Sequence, residues 1–469
     1  MKVEQIYTGC LAQGAYYIAS KGEAAIIDPL REVQPYIEKA KNDNVKIKYV
    51  FETHFHADFV SGHVTLAEET GADIVFGPGA KTGYKSIVAE DQQEFSVGDL
   101  TVRVLHTPGH TLESVTYLLL DENGKEYAIF SGDTLFIGDV GRPDLAAKSD
   151  LTKEDLAGLL YDSLRNKIMT LPDDTIVYPA HGAGSACGKN MSKETFDTLG
   201  RQKMFNYALR ADMTKEEFIK EVTDGLVEPP QYFPENVRMN KEGYEAIDTV
   251  LERGNVPLSP DEFEAVVNTK GALMLDTRAP QTFKDDFIPN SINIGIDGDF
   301  APWVGSLIPD LKQPIVIIAE KSREEEVVTR LSRVGYDMTF GYLDGGIEAW
   351  KKAGKETDTI TSISAEQFKD ELDKANVLDV RRNSEYSSEH VDGEQVKNVP
   401  LDHINDYINE LDRNTIYHLH CAGGYRSMIT ASILKSRGFD NIVDVAGGFK
   451  AIKETGVPVT DYVCPTTLL

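Results

Sequence analysis

The chain has 469 residues, 41% of them hydrophobic and 26% charged, a composition that excludes collagen, coiled coil and intrinsic disorder. At about 150 residues per domain, this length predicts about three domains. Lys and Arg number 48 against 76 Asp and Glu, and the net charge of −28 opposes nucleic acid and anionic membrane surfaces as partners, because both are polyanions.

The cysteines and the N-terminal residues indicate a compartment. Four cysteines, Cys10, Cys187, Cys421 and Cys464, are too few and too widely spaced for a disulfide framework. The first residues, MKVEQIYTGCLAQ, lack the basic and then apolar pattern of a signal peptide. No apolar run approaches the ~18 residues that cross a bilayer. We therefore expect a soluble, cytoplasmic protein.

The first half of the chain predicts strands that alternate with helices. The strand-like runs are AAIID, IKYVFE, DIVFG, LTVRVL, SVTYLLL, YAIFSG and TIVYPA, and VQPYIEKAKND is helical in pattern. Asn123-Gly124 is typical of a hairpin turn between SVTYLLL and YAIFSG. After about residue 190 the pattern becomes helical, with one helix predicted to begin at Asp212 or Thr214 and to end before EPPQYFPEN.

Four of these strands are followed by side chains that ligate metals. IKYVFE leads to His54, His56 and Asp58, LTVRVL to His106 and His110, YAIFSG to Asp133, and TIVYPA to His181. Side chains that follow strands at one edge of a sheet can converge on a point. Because imidazole and carboxylate groups suit Zn, Fe or Mn, this pattern predicts a metal site.

The ligand pattern resembles the metallo-β-lactamase fold, whose hallmark is HxHxDH followed by His, Asp and His. The match covers about residues 1–210. One position departs, because Phe59 stands where the motif has its last His. That His belongs to the second metal in the dinuclear hydrolases of this fold, and Phe cannot ligate. A mononuclear centre is therefore expected.

Within that fold, the flanks THFHADFVSGH, HTPGHT, FSGDTLFIGDVGRPDL and YPAHGAGSACGK resemble the persulfide dioxygenases. The resemblance implies one non-haem Fe(II) per chain, rather than Zn, held by His54, His110 and Asp133, with open positions for thiolate sulfur and O₂.

The same resemblance gives roles to the neighbouring polar residues. It implies that His56, Asp58 and His181 orient the ligands and the substrate by hydrogen bonds. We expect Arg142 to bind the anionic substrate or sulfinate, and His106 to shape its turn. Cys187, just after His181, is a candidate redox residue.

The second half of the chain repeats itself. Asp276 and Asp379 lie 103 residues apart, as do Gly335 and Gly438, while Gly345 and Gly447 lie 102 apart. Three landmarks in order indicate two copies of one ~100-residue unit, over 256–355 and from 361. Strands such as ALMLDT and IVIIA alternate with helical stretches, which predicts an α/β unit with a mainly parallel sheet.

A reactive cysteine is predicted in the second copy. The strand IYHLHC runs into a glycine-bearing loop that precedes a helix: Cys421, Ala422, Gly423, Gly424, Tyr425, Arg426 and Ser427. The N–H groups of such a loop, the helix dipole and Arg426 would stabilise a thiolate or a bound persulfide.

This loop, together with LDVR, HVDGEQVKNVPL and VAGGFKA, resembles the rhodanese family. The resemblance implies that Cys421 carries a sulfane sulfur as a persulfide. The first copy has Glu320 opposite Cys421 and no glycine pair after it. A carboxylate cannot take up sulfur, so this copy is expected to be inactive.

Together these resemblances imply an α/β multi-domain chain. A metallo-β-lactamase αββα sandwich is expected over 1–255, with a helical extension from about residue 190. Two rhodanese-like domains with mainly parallel sheets are expected to follow, the inactive one over 256–355 and the one with Cys421 over 361–469.

The implied activity is oxidation of a low-molecular-weight thiol persulfide, of the glutathione, coenzyme A or bacillithiol type, with O₂ to sulfite and thiol. Sulfur transfer through Cys421 would exchange persulfide and thiosulfate, in sulfide or persulfide detoxification by a homo-oligomer. Two alternatives stay open at this point. One is a zinc thioester hydrolase like glyoxalase II with a sulfur-carrier rhodanese module, and the other is a non-catalytic sulfur carrier or scaffold.

Overall fold

A computed structural model of the chain describes residues 1–147, 150–189, 191–226 and 228–464. The chain divides into two compact units. The first consists of Met1–Ile247 and Ser332–Gly335, and the second of Asp248–Leu331 and Tyr336–Leu469. Within the described ranges, no helix combines the length and the apolar character that a membrane span requires.

Two six-stranded sheets form the frame of the first unit. The first sheet has the order β1-β2-β3-β4-β5-β6 and contains Lys2–Thr8 (β1), Gln13–Ser20 (β2), Glu23–Ile27 (β3), Lys46–Phe51 (β4), Asp73–Phe76 (β5) and Ile87–Val88 (β6). The second has the order β12-β11-β10-β9-β8-β7 and contains Glu94–Val97 (β7), Leu100–His106 (β8), Val115–Leu120 (β9), Glu126–Gly132 (β10), Ile176–Pro179 (β11) and Asp197–Thr198 (β12). Parallel and antiparallel pairs are mixed in both sheets.

Helices cover the outer faces of these sheets. They are Gln34–Asn42 (α1), His63–Thr70 (α2), Lys153–Ser163 (α3), Leu199–Phe205 (α4), Lys215–Thr223 (α5) and Phe233–Glu242 (α6). A π-helical turn, Leu164–Ile168, continues α3, and a 3₁₀ turn spans Tyr207–Leu209.

The strand periodicity of two explains the layers. In β2, Tyr16 and Ile18 face the second sheet in a shared core with residues such as Val104 and Phe130. The alternate residues Tyr17 and Ala19 pack on the other side of the sheet against α1 and α2. A separate cluster fills the space between the second sheet and α3 and α5. The expected αββα sandwich is thus confirmed.

A hairpin and a helix start that the sequence predicts are both present in this unit. The hairpin of β9 and β10 is present, and Gly124 in its turn has φ of +78°. Helix α5 is capped by Thr214, whose hydroxyl accepts from the N–H of Glu217 while the Glu217 side chain accepts from the N–H of Thr214. The hairpin of β1 and β2 was not predicted, because apolar alternation in β1 is weak.

The second unit contains two five-stranded sheets with all strand pairs parallel. After Ile247–Gly254 (α7), the first copy comprises Pro257–Leu258 (β13), Pro260–Lys270 (α8), Leu273–Asp276 (β14), Pro280–Asp285 (α9), Ile292–Asn293 (β15), Phe300–Leu307 (α10), Ile315–Ile318 (β16), Glu324–Arg333 (α11), Thr339–Leu343 (β17) and Gly346–Lys352 (α12).

The second copy comprises Thr361–Ile363 (β18), Ala365–Glu371 (α13), Asn376–Asp379 (β19), Asn383–Ser388 (α14), Val396–Asn398 (β20), Ile404–Tyr407 (α15), Tyr417–His420 (β21), Tyr425–Ser436 (α16), Ile442–Val445 (β22) and Gly448–Glu454 (α17). Single 3₁₀ turns span Leu372–Lys374, Leu401–His403 and Ile408–Glu410.

The two copies share one topology. Their strand orders, β13-β17-β16-β14-β15 and β18-β22-β21-β19-β20, are the same when strands are numbered within each copy. An Asp–Arg pair follows the second strand of each, Arg278 with Asp276 at 2.6 Å and Arg381 with Asp379 at 2.5 Å. The repeat inferred from the sequence is therefore a repeat of structure. The domain boundaries at residues 255/256 and 355/361 stay predictions.

Candidate metal centre and cysteine loop

Three predicted metal ligands meet where strands of both sheets end. His54 follows β4, His110 follows β8, and Asp133 comes directly after β10. One ligand atom from each lies within 4.8 Å of the others. Asp133 Oδ2 is 3.8 Å from His54 Nε2 and 3.4 Å from His110 Nε2. Two ligands about 2.1 Å from one ion lie at most about 4.2 Å apart, so these distances suit a shared ion.

Hydrogen bonds direct a lone pair of each imidazole to this point. The Thr53 hydroxyl donates to Asp28 Oδ2 and therefore accepts from His54 Nδ1, at 3.0 Å. His110 Nδ1 donates to the carbonyl of Arg142 at 2.8 Å. Both Nε2 atoms are left as acceptors, which is the form that binds a metal.

Asp133 completes the donor set. Its Oδ1 accepts from His181 Nδ1 at 2.8 Å, whereas its buried Oδ2 has no hydrogen-bond partner. Burial opposes ionisation, but His181, His54 and His110 hold the pKa of Asp133 far below its ordinary value. Burial also lowers the pKa of His54 well below its usual range. Neutral imidazoles and an orphaned carboxylate oxygen fit a divalent metal, and both Zn and Fe(II) accept this donor set.

His181 joins Asp133 to Asp58. Its Nε2 lies 2.8 Å from Asp58 Oδ2, opposite the bond to Asp133. Although burial opposes protonation, the two carboxylates raise the pKa of His181 well above its ordinary value. An imidazolium between two carboxylates holds Asp133 in place. The orienting roles of Asp58 and His181 toward metal and substrate stay predictions.

His56 has different neighbours. Its Nε2 lies 3.2 Å from Asp28 Oδ1 and 3.6 Å from Glu52 Oε2. Its ring packs against that of His54, with centroids 4.2 Å apart. Asp28 and Glu52 were missed in the sequence, although each directly follows an apolar strand, which is the signal used for Asp133. His56 therefore contacts His54 through its ring and buried carboxylates through Nε2.

Phe59 occupies the position of the last histidine of the HxHxDH motif. Its side chain is fully buried, with ring centroids 4.4 Å from His56 and 6.5 Å from His181. Phe136 lies on His181 as well, at 6.2 Å. Two aromatic rings therefore lie against His181, and no donor atom comes from Phe59.

The guanidinium of Arg142, predicted to bind an anionic substrate, is paired with a carboxylate in the structure. Nε and Nη2 each donate to one carboxylate oxygen of Asp144 at 2.7 Å, in a buried bidentate pair. The contact of Arg142 with an anionic substrate stays a prediction, and its carbonyl accepts from His110 Nδ1 at the centre. His106 lies outside the cluster and bonds the Leu112 carbonyl within its own turn.

Cys187 lies close to the centre. Its thiol, Asp58 and His181 form a second group of potential ligand atoms within 4.8 Å of one another. Burial raises the pKa of the Cys187 thiol well above its ordinary value, and Asp58 and Asp133 add to that effect. Because the thiolate is the reactive form, these surroundings oppose reactivity. The redox role of Cys187 stays a prediction.

Asn240, in α6 of the helical extension, holds the loop that contains the first ligands. Its Nδ2 donates to the carbonyls of His56 and Phe59, both at 2.8 Å, and its Oδ1 accepts from Ser61 N at 2.9 Å. The sequence contained no sign of this role, because Asn240 lies more than 180 residues from the loop.

The cysteine loop of the second copy has the expected form. Cys421 follows β21 and is buried, and Gly424, with φ of +104°, precedes α16. Gly424 N donates to Cys421 Sγ at 3.1 Å, and Ser427 Oγ lies 3.8 Å from the sulfur. Gly424 has a left-handed conformation that favours glycine, and its N–H faces the sulfur, as in an anion-binding loop.

Arg426 has a partner that the sequence did not reveal. Its guanidinium binds both carboxylate oxygens of Glu385, at 2.5 and 2.8 Å. Burial opposes the charge, yet Glu385 raises the pKa of Arg426. The positive charge beside Cys421 is therefore one half of an ion pair.

In the first copy, the loop that corresponds to the cysteine loop forms ion pairs. Glu320 follows β16, and Ser322 has φ of +69°. Arg323 binds Asp297 with both Nη atoms at 2.8 Å and also binds Glu326. No thiol is present among residues 320–326 to carry sulfur.

Comparisons with known proteins agree with this architecture. The family model of the metallo-beta-lactamase superfamily matches residues 8–181, and that of the rhodanese-like domain matches 259–353 and 364–455. A crystal structure of a metallo-beta-lactamase from Staphylococcus aureus subsp. aureus COL is 30% identical, with a TM-score of 0.63, over 73% of this chain and 98% of that one. The chain belongs to the metallo-beta-lactamase superfamily and carries two rhodanese-like domains after the metal-binding fold.

Two further relatives match the first half. A probable hydroxyacylglutathione hydrolase from Schizosaccharomyces pombe is 28% identical over 244 residues, which are 47% of this chain and 89% of the relative. The crystal structure of ETHE1 from Myxococcus xanthus is 30% identical over 51% of this chain and 98% of that one, with a TM-score of 0.44.

Replacement of a ligand tests the metal centre. We expect His110→Ala to retain less than about a tenth of the metal bound by the wild type, because one of three protein donors is lost. His106→Ala removes a histidine four residues away that lies outside the cluster, and should retain the wild-type amount. Elemental analysis of both purified variants measures this, and equal metal contents in the two would contradict the assignment.

Asn240→Ala tests the support of the ligand loop. Loss of three buried hydrogen bonds should lower metal affinity about tenfold and lower the midpoint of thermal unfolding. Asn236→Ala is the matched control in the same helix, because the buried Asn236 amide has no hydrogen-bond partner. Chelator competition and thermal unfolding give the two readouts. The role fails if both variants lose metal equally.

Proposed function

We propose that the first unit oxidises a low-molecular-weight thiol persulfide with O₂ and that Cys421 transfers sulfane sulfur in the same pathway of sulfide or persulfide detoxification. The supporting observation is a centre of two imidazoles and one carboxylate, with Phe59 in place of the last motif histidine, in one chain with a rhodanese-type cysteine loop. The thiol carrier is expected to be of the glutathione, coenzyme A or bacillithiol type, and the protein a homo-oligomer.

The overall oxidation balances in atoms and electrons. Persulfide, O₂ and water give thiol, sulfite and two protons, and the four electrons lost by the outer sulfur are taken up by O₂. One Fe(II), held by His54, His110 and Asp133, would supply the binding and activation of O₂ beside the substrate sulfur.

The residues around these ligands have separable tasks. The His181 imidazolium holds Asp133 Oδ1 and so leaves Oδ2 for the metal. Thr53 and the Arg142 carbonyl fix the two imidazole rings. Phe59 and Phe136 place aromatic rings beside His181 and offer no ligand atom to a metal.

Sulfur transfer uses the second copy. The Cys421 thiolate would attack the outer sulfur of a persulfide, and the bond between its two sulfurs breaks so that the carrier leaves as a thiolate. Sulfite would then attack the outer sulfur on Cys421 and leave as thiosulfate, regenerating the thiolate. Gly424 N, at 3.1 Å from Sγ, stabilises negative charge on the sulfur during both transfer steps. The reverse direction, from thiosulfate to persulfide, uses the same groups.

A zinc thioester hydrolase with a sulfur-carrier rhodanese module is the second candidate. It is favoured by the probable hydroxyacylglutathione hydrolase among the relatives. Phe59 argues against this candidate, because a dinuclear hydrolase has a metal-binding histidine at that position. Glutathione is one of the proposed persulfide carriers and also the thiol in the name of that relative, so metal content and O₂ uptake are the properties that separate the two candidates.

O₂ uptake with glutathione persulfide and coenzyme A persulfide tests the two proposed sites together. His110→Ala should abolish uptake, because a ligand is lost. Cys421→Ser should keep uptake and lose thiosulfate formation, because serine cannot carry sulfane sulfur. Equal loss of both activities in Cys421→Ser would refute two separable sites. Two Zn per wild-type chain without O₂ uptake would favour the hydrolase.

Phe59→His tests the mononuclear state. The new imidazole would lie beside His181 and Asp58, where it adds the missing donor of a second site. We expect the metal content to rise from about one to about two per chain when the variant is loaded with excess Zn. Phe136→His, which alters the other ring on His181, is the control and should stay at about one. An unchanged stoichiometry in Phe59→His would contradict this account of the vacant ligand position.

A further inference from the structure

The first residue of helix α16 contacts the inactive copy. Tyr425 stands between Gly424, which donates to Cys421 Sγ, and Arg426, which binds Glu385. Its hydroxyl donates to the carbonyl of Gly295 in the first copy, at 2.7 Å. Burial, with Asp299 nearby, raises the pKa of Tyr425, which keeps the phenol protonated as a donor.

Two glycines of the first copy make room for the ring. A Cβ added to Gly298 would lie 2.3 Å from Tyr425 Cζ, and one added to Gly295 would lie 3.3 Å from Cε2. Gly298 does not have a positive φ, so its backbone does not itself require glycine. The close approach of the ring is what excludes a side chain there.

The equivalent loop of the second copy has no glycine. Asn293 and Asn398 are equivalent, since each Nδ2 donates to the carbonyls of the Asp and Arg that follow the second strand of its copy. Counting from them, Gly295 and Gly298 correspond to Pro400 and His403. The glycines are thus present only in the copy that receives Tyr425.

Two arginines that follow Glu320 in the chain bind the loop between Gly295 and Gly298. Arg323, three residues after Glu320, binds Asp297 at 2.8 Å. Arg330, two turns along α11, donates to the Ile296 carbonyl at 2.7 Å. The loop between the two glycines is therefore held from the helix that follows the inactive site.

A second contact lies on the same face of α16. Ser432, seven residues after Tyr425, accepts from Asn293 N at 2.9 Å. Residues seven apart lie on one side of a helix, two turns apart. Arg426 and Ser427, on other faces, bind Glu385 and Asp444 of the second copy. The start of α16 is therefore fixed from both copies.

We propose that the inactive copy positions the sulfur-transfer loop, with Gly295–Gly298 as the seat of Tyr425, which sets the start of α16 and thereby the N–H groups that face Cys421. The inference rests on the proposed sulfurtransferase function of Cys421. It makes Tyr425 and Gly298 positioning residues, which act through Gly424 and Cys421 without touching the transferred sulfur.

The test uses the full chain, with thiosulfate as donor and cyanide as acceptor, and measures sulfite and thiocyanate. Gly298→Ala should lower kcat about tenfold, because the ring is displaced and the loop moves with it. Alkylation of Cys421 by iodoacetamide, followed by mass spectrometry of its peptide, should slow in parallel. Uptake of O₂ with persulfide should equal that of the wild type.

A double variant separates positioning from general damage. If Gly298 acts through the ring, Gly298→Ala combined with Tyr425→Ala should be no slower than Tyr425→Ala alone, whereas independent effects would multiply. Tyr425→Phe, which loses only the bond to Gly295, should lower kcat about threefold. Tyr336→Phe is its matched control, because it removes a comparable tyrosine–carbonyl bond, to Ile308 at 2.5 Å, and should leave kcat unchanged.

The outcomes are distinct. Wild-type turnover in Gly298→Ala, or multiplicative losses in the double variant, would overturn the positioning role while leaving sulfur transfer by Cys421 intact. A wild-type chain that transfers no sulfur from thiosulfate would overturn the proposed function, and this inference with it.

Discussion

The carboxylate of Asp133 has two oxygens with different partners, and the metal centre depends on that division. Oδ1 accepts from His181, and Oδ2 faces the Nε2 atoms of His54 and His110 without a hydrogen bond. A buried anion without compensation is costly. The free carboxylate oxygen Oδ2 and the lone pairs of two fixed imidazoles make one point in space suitable for a cation. The loops next to Asp133 hold their side chains in positions that suit a cation at this point.

The ligands could be predicted from the sequence because each lies within four residues of the end of an apolar strand, and strand ends at one edge of a sheet are close in space. His54, His110 and Asp133 satisfy that local rule. Their supports do not, since Asn240 comes from a helix more than 180 residues away, and the carbonyl of Arg142 orients His110 while its guanidinium is bound to Asp144. Such pairings are decided by packing between distant segments, which spacing along the chain does not encode.

The same distinction applies to the repeats. The strands, the loop after β21 and the loss of the cysteine at Glu320 follow from two aligned stretches of sequence, and the identical strand orders agree with that alignment. The bond of Arg426 to Glu385 and the contact of Tyr425 with the first copy could be identified only from the structure. Arg426 was expected to stabilise a thiolate at Cys421, and its pairing with Glu385 was not foreseen, although desolvation of a guanidinium favours a carboxylate partner when one is in reach.

The two copies share one frame and differ at the position of the cysteine. Both retain the buried Asp–Arg pair and an asparagine that ties it to the next strand, because those groups satisfy each other inside the sheet edge. Only the second retains a thiol and a glycine-bearing loop. In the first, arginines bind carbonyl and carboxylate groups around glycines that accept a ring from its neighbour. Ion pairs of Arg323 stand in the first copy where the second has its cysteine loop, and under our proposal they support the surface that receives Tyr425.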